Sequence, residues 1–110
     1  MPVDLIVATP AFLDLTVVGL DALPRLGEER FAGDLVRSPG GGAITACAAA
    51  RLGLSAALVA PLGTDLPGEF VRGELEREGV IVQSSGAART PQTLVPVSYT
   101  HLTLPTKLEV

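Results

Sequence analysis

Short apolar segments and helix-forming segments alternate along most of this chain, and that alternation constrains its fold more than any other feature. A short apolar run is typical of a strand buried in a parallel sheet, whereas apolar residues three or four apart are typical of a helix. The order strand, helix, strand, helix, strand is predicted for residues 4–9, 43–52, 55–62, 66–78 and 80–82, and residues 93–97 are predicted to begin a further strand. This order predicts an α/β fold with a Rossmann-like, three-layer parallel sheet.

Each predicted helix has an apolar stripe and identifiable ends. The stripe of the first comprises Ile44, Cys47, Ala48 and Leu52. The stripe of the second comprises Leu66, Phe70, Val71 and Leu75. Gly53 and Gly79 follow the two helices as C-terminal stop residues, and Asp65 is placed to cap the second helix. Asp65 is therefore predicted to be structural rather than a ligand group.

Residues 12–37 do not fit the alternation and predict a small inserted β flap. Two β-rich stretches, 12–18 and 31–37, lie within it on either side of a loop. Residues 38–42 follow with the sequence Ser-Pro-Gly-Gly-Gly, for which we predict no regular structure.

Composition excludes several classes of protein. The net charge is −4 without a basic cluster, which argues against partners such as nucleic acid or an anionic membrane. No apolar run approaches the roughly 20 residues that span a bilayer. Cys47 is the single cysteine, so no disulfide can form within the chain, which fits a reducing cytoplasm. The N-terminus lacks the basic region of a signal peptide. We interpret Cys47 as a small core residue.

Residues 40–63 (GGGAITACAAARLGLSAALVAPLG) resemble the N-terminal motif of the PfkB, or ribokinase-like, family of carbohydrate kinases. Gly40, Gly41 and Gly42 open the motif, and later glycines follow at the family's spacing. AFLD around Asp14, GTDLPG at 63–68 and GELEREGV at 73–80 resemble further elements of that family. The resemblance covers about residues 4–95.

The resemblance implies a sugar-binding role for Asp14, Gly40, Gly41 and Gly42. A carboxylate can accept charge-assisted hydrogen bonds from two sugar hydroxyls, and glycines let the backbone approach a sugar closely. One position departs from the family, because its usual asparagine is replaced here by Ile44, which cannot form such a hydrogen bond.

The resemblance further implies a parent enzyme that uses ATP and Mg²⁺ to phosphorylate a sugar hydroxyl, with possible homodimer contacts through the flap. In the family, the G-A-G-D motif that supplies the catalytic aspartate lies in the C-terminal half. We find no such motif here, nor a G-x-x-x-x-G-K-[ST] loop or a G-x-G-x-x-G motif. We therefore assign no catalytic, cofactor-binding or metal-binding residue in this chain and expect the fragment itself to be inactive.

Residues 97–110 do not resemble the family. The stretch VSYTHLTLPT at 97–106 is identical to a translation of the transposase mosaic-end adapter used in DNA library preparation. We therefore predict that residues 4–96 form the N-terminal part of a ribokinase-like kinase domain and that 97–110 is an artefactual tail. His101, the single histidine, lies in this tail and receives no catalytic role.

Two other functions are compatible with the sequence. One is a nucleoside kinase of the same superfamily, which the Ile44 departure permits. The other is a non-catalytic α/β module that binds a small ligand, in which residues 40–42 would be a flexible loop and Asp14 a solvated strand residue. A G-x-G-D-type motif in a C-terminal half would favour the kinases.

Overall fold

A computed structural model of the chain describes residues 2–98. Eight elements follow in chain order: β1 (Leu5–Val7), β2 (Ala11–Leu20), β3 (Asp34–Gly41), α1 (Gly42–Arg51), β4 (Ala56–Ala60), α2 (Leu66–Arg77), β5 (Ile81–Ser84) and β6 (Gln92–Ser98). Of the predicted tail, 97–110, the first two residues end β6, and the residues from 99 onward lie outside the described part of the chain.

Three strands form a parallel sheet with the order β1-β4-β5. Its register pairs Leu5 with Ala56 and Leu58 with Val82. The central strand β4 has paired neighbours on both sides, and Leu58 within it is completely buried. Helix α1 packs on β1 and β4, and α2 packs on β5. The predicted α/β fold with a parallel sheet is therefore confirmed.

Helix α1 buries a different face from the predicted stripe. Its buried residues are Gly42, Ala43, Ala46 and Ala49. Ile44 and Leu52, which the prediction placed in the core, are 59% and 82% exposed. The prediction was wrong because it counted the larger apolar side chains, whereas the helix packs on the sheet through its smallest residues, which permit a close approach.

Helix α2 begins at the predicted cap. The Asp65 side chain accepts a hydrogen bond from the Gly68 amide at 3.1 Å, which satisfies a free N–H of the first turn. Val71 and Leu75 are fully buried as predicted, but Leu66, in the first turn, is 80% exposed. Within residues 2–98, neither helix is long and apolar enough to cross a membrane.

The predicted helix stops at Gly53 and Gly79 are confirmed. Gly53 has φ +93° and Gly79 has φ +87°, the left-handed conformation that glycine adopts at low cost. The amides of Leu54 and Val80 then donate back to the carbonyls of Ala49 and Leu75, each at a distance of 3.0–3.1 Å. These contacts close the helix ends before β4 and β5.

A second three-stranded sheet has the order β3-β2-β6. Strand β3 continues through Ser38, Pro39, Gly40 and Gly41, and Gly42 begins helix α1. The prediction of no regular structure over 38–42 was therefore wrong for all five residues. Proline is compatible with β3 because an edge strand leaves part of its backbone unpaired.

The chain divides into two compact units. The first contains the residues up to Asp14 together with Ser38–Thr93, and the second contains Leu15–Arg37 together with the residues from Leu94 onward. Asp14, Gly40–Gly42 and the parallel sheet all belong to the first unit, so the geometry described below lies within a single unit.

Candidate functional site

Asp14 on β2 lies directly against Gly40 on β3. A Cβ atom built at Gly40 would lie only 2.7 Å from Asp14 Cγ and would also overlap its Oδ2. Any residue other than glycine at position 40 would therefore displace the carboxylate or the strand. Asp14 is half-buried.

Phe12 lies two residues before Asp14 on the same strand, so both side chains point to the same face of β2. A Cβ atom built at Gly40 would lie 2.6 Å from Phe12 Cε2, and one at Gly41 would lie 2.6 Å from Phe12 Cε1. The aromatic ring therefore packs under the glycine backbone. The sequence reasoning did not identify Phe12, although its period-two spacing from Asp14 was a usable signal.

Gly41 and Gly42 connect β3 directly to α1. Gly41 has φ +63° and precedes the first residue of the helix without a side-chain cap. A Cβ atom at Gly41 would lie 2.5 Å from the Pro10 carbonyl oxygen, and one at Gly42 would lie 2.6 Å from Thr9 Oγ1. The Gly42 amide donates to that Pro10 carbonyl at 2.8 Å. The three glycines thus form a tightly packed connection. Gly41 and Gly42 lie beside the loop after β1, whereas Gly40 lies against β2.

Thr93 on β6 contacts the other oxygen of the same carboxylate. Its Oγ1 donates a hydrogen bond to Asp14 Oδ1, and the pair is partly buried. The two residues are 79 positions apart in the chain. No local pattern in the sequence indicates this contact, and Thr93 was not among the predicted site residues.

Ile44 lies in the first turn of α1 with its side chain exposed. It lines a cleft of about 370 Å³ together with Pro39, Ala43, Cys47, Arg51 and Glu78, among other residues. Asp14 does not line this cleft. Cys47 is half-buried rather than a core residue, and burial raises the pKa of its thiol.

Asp65 lies at the start of α2, and both oxygens of its carboxylate accept hydrogen bonds from the protein. Besides Gly68, its carboxylate accepts hydrogen bonds from the Thr90 amide at 2.9 Å and the Thr90 hydroxyl at 2.7 Å. The hydrogen bond from the Thr90 amide is the largest of the contacts that lower the pKa of Asp65. Thr90 Oγ1 in turn accepts a hydrogen bond from the Gly63 amide at 2.9 Å. The predicted structural role of Asp65 is thus visible in its contacts.

The chain matches one family model and a set of solved structures. The model for the pfkB family of carbohydrate kinases matches residues 12–103. Among curated proteins, no sequence matches this chain.

Solved structures with a similar fold include three ribokinases. The structure of Arabidopsis thaliana ribokinase complexed with ribose and ATP is 28% identical, with a TM-score of 0.75 over 89% of this chain and 33% of that one. Ribokinase from Thermotoga maritima is 22% identical, with a TM-score of 0.76 over 90% and 34%. Ribokinase from Giardia lamblia is 17% identical, with a TM-score of 0.78 over 90% and 33%. Because the Thermotoga and Giardia enzymes are so distant in sequence, their similarity to this chain shows only that the fold is shared.

This chain spans about a third of the length of the solved structures that it matches. Its fold is that of the ribokinases over nearly its entire length, and the family model covers well over half of its residues. The chain therefore belongs to the pfkB family of carbohydrate kinases.

Proposed function

We propose that the complete protein carrying this segment is an ATP-dependent kinase that phosphorylates a sugar hydroxyl, and that this segment binds the sugar. The observation that supports the proposal is the contact between the Asp14 carboxylate and the bare backbone of Gly40. A carboxylate accepts charge-assisted hydrogen bonds from hydroxyls, and a backbone without a Cβ atom leaves room beside it. The similar Arabidopsis ribokinase was solved with ribose and ATP, which is consistent with this substrate class.

Asp14, Gly40, Gly41 and Gly42 are the proposed sugar-binding residues. Sugars are neutral and strongly hydrated, so a protein recognises them through fixed hydrogen-bonding groups rather than through charge. Asp14 supplies the fixed acceptor. The glycines allow the β3 backbone to lie against it, and they pack closely against Phe12 and Pro10.

The nucleotide-binding side is proposed to lie in the part of the protein that this chain does not include. Within residues 2–98, no group of three or more His, Cys, Asp or Glu side chains could hold a metal ion. We therefore derive no step of phosphoryl transfer from the described residues. The 110-residue chain alone is expected to be inactive.

Residues 12–37 are proposed to form a flap that covers the sugar and contributes to a homodimer. Leu26 and Phe31 are almost completely exposed, and Leu35 and Val36 are about half exposed. Leu26 and Phe31 lie in the loop between β2 and β3, and Leu35 and Val36 lie on β3. Exposed apolar side chains are typical of a surface that pairs with another chain. The unpaired Cys47 and the absence of a basic cluster support a cytoplasmic enzyme that binds neither nucleic acid nor membranes.

The test is a kinase assay on the complete protein with a panel of sugars and nucleosides. Asp14→Asn is expected to raise the KM for the sugar by about tenfold or more because a charge-assisted hydrogen bond is lost, with an unchanged KM for ATP. Asp4→Asn is the matched control, since Asp4 is exposed before β1 and accepts a hydrogen bond from the Ser55 amide at 2.8 Å. An unchanged sugar KM for Asp14→Asn would contradict the proposal.

A nucleoside kinase is the second candidate, and Ile44 is the observation that favours it. Its exposed, apolar side chain cannot hydrogen-bond a hydroxyl but can contact the flat face of a base. Ile44→Asn is expected to lower the KM for free sugars if the substrate is a sugar, and to raise the KM for nucleosides if the substrate is a nucleoside. A complete protein that phosphorylates neither class would favour the third function, a non-catalytic binding module.

A further inference from the structure

The Asp14 carboxylate is held from both sides by neighbouring strands. Thr93 Oγ1 donates a hydrogen bond to Oδ1, while Oδ2 is the oxygen nearest to Gly40. The three residues lie on β6, β2 and β3 in the strand order of the sheet, and all three belong to the same compact unit.

The terminal torsion of an aspartate side chain is soft, so an unrestrained carboxylate samples a broad range of orientations. A hydrogen bond to one oxygen restricts that rotation. With Oδ1 occupied by the Thr93 hydroxyl, Oδ2 is directed towards the glycine strand.

We propose that Thr93 is a positioning residue, which orients the Asp14 carboxylate so that Oδ2 accepts the hydrogen bond from a substrate hydroxyl beside Gly40. This inference rests on the proposed function, because it assumes that Asp14 binds the substrate. Thr93 does not itself need to contact the substrate, and its effect is on the geometry of binding.

A purely structural role for the Thr93 hydroxyl is the competing explanation. The strands near this point are also connected through the backbone, since the Leu13 amide donates to the Pro91 carbonyl at 3.0 Å. Removing the hydroxyl while keeping the branched side chain is therefore expected to preserve the sheet. A structural role would lower stability, whereas a positioning role would change the affinity for the sugar.

The experiment measures kinetics of the complete kinase with the variants Thr93→Val and Thr93→Ser. Thr93→Val keeps the shape and removes the hydroxyl, and it is expected to raise the sugar KM by about fivefold to tenfold with ATP KM and kcat within twofold. Thr93→Ser retains the hydroxyl and is expected to restore a KM close to that of the unmodified protein. Thr64→Val, at an exposed position just before α2, is the control.

A double-mutant cycle provides a second readout. Because Thr93 acts through Asp14, adding Thr93→Val to Asp14→Asn is expected to raise the sugar KM little beyond Asp14→Asn alone. If the two increases multiply, Thr93 acts independently of Asp14 and the inference is overturned.

The outcomes separate this inference from the proposed function. A raised sugar KM for Asp14→Asn with an unchanged KM for Thr93→Val overturns the role of Thr93 and leaves the function standing. A complete protein that phosphorylates no sugar or nucleoside overturns both. If Thr93→Val does not fold, Thr93→Ala is compared with Thr93→Ser: a higher KM for the alanine variant supports the inference, and equal values overturn it.

Discussion

The backbone of Gly40 lies so close to the Asp14 carboxylate that a single added carbon at Gly40 would come within 2.7 Å of Asp14 Cγ. Strand β3 and strand β2 can therefore pack at this point only if residue 40 has no side chain. The contact links a feature that is evident in the sequence, the glycine run, to a carboxylate 26 residues earlier, and the first prediction tests it.

Gly40→Ala is expected to destabilise the chain by about 1–3 kcal/mol, because the new methyl group overpacks a site bounded by Asp14 and Phe12. The measurement is urea-induced unfolding of the 110-residue chain. Gly73→Ala in α2 is the control, since nothing lies within 4 Å of a Cβ atom there, and it is expected to stabilise the chain by about 0.5–1 kcal/mol. Equal effects of the two variants would show that Gly40 is not tightly packed.

Thr90→Val is expected to destabilise the chain by about 1–3 kcal/mol, because the Gly63 amide and the Asp65 carboxylate lose a buried partner. Thr90 is only 4% exposed, so water cannot easily replace the missing hydroxyl. Thr64→Val, at an exposed position beside the same residues, is expected to change the unfolding free energy by less than about 0.5 kcal/mol. Comparable losses for the two variants would argue against a buried Thr90 network.

Acid is expected to weaken the chain partly through Asp65, whose pKa is lowered in the folded state by the Thr90 amide and hydroxyl. A lowered folded pKa means that the stabilisation is complete above the unfolded carboxyl pKa and is lost as the pH falls through the folded value. The measurement is the unfolding midpoint as the pH is reduced from neutrality through the carboxyl range.

The control for this pH dependence is Asp65→Asn, which cannot titrate and is expected to show a shallower loss of stability in acid. Part of the loss is expected to remain, since the hydrogen bond from Arg51 lowers the pKa of Glu78 in the same direction. An Asp65→Asn variant with the same acid profile as the unmodified chain would contradict the assignment.

Leu75→Ala is expected to cost about 2–5 kcal/mol, because Leu75 is completely buried and its loss leaves a cavity. Leu66→Ala, in the same helix at an 80% exposed position, is expected to change the unfolding free energy by less than about 0.5 kcal/mol. Both values come from the same denaturation experiment. A large effect at Leu66 would mean that the apolar stripe extends to the first turn, as the sequence pattern predicts.

The sequence by itself determined the order of the elements, the parallel α/β fold and the helix ends. These features depend on neighbouring residues, so they can be recognised from the local sequence. They include the periodicity of strands and helices, the helix cap at Asp65 and the helix stops at Gly53 and Gly79. The resemblance of residues 40–63 to PfkB kinases placed the chain in the family to which the family model also assigns it.

Only the tertiary structure decided which face of α1 is buried, that β3 continues through Gly41, and that Thr93 reaches Asp14. Each depends on residues far apart in the chain. Burial of Ala43 and Ala46 instead of Ile44 follows from how closely a helix can approach β4. The Thr93 contact follows from the position of β6 beside β2. Hydrophobic periodicity shows which faces of a helix or strand are apolar, but packing against an element distant in the chain determines which face is buried.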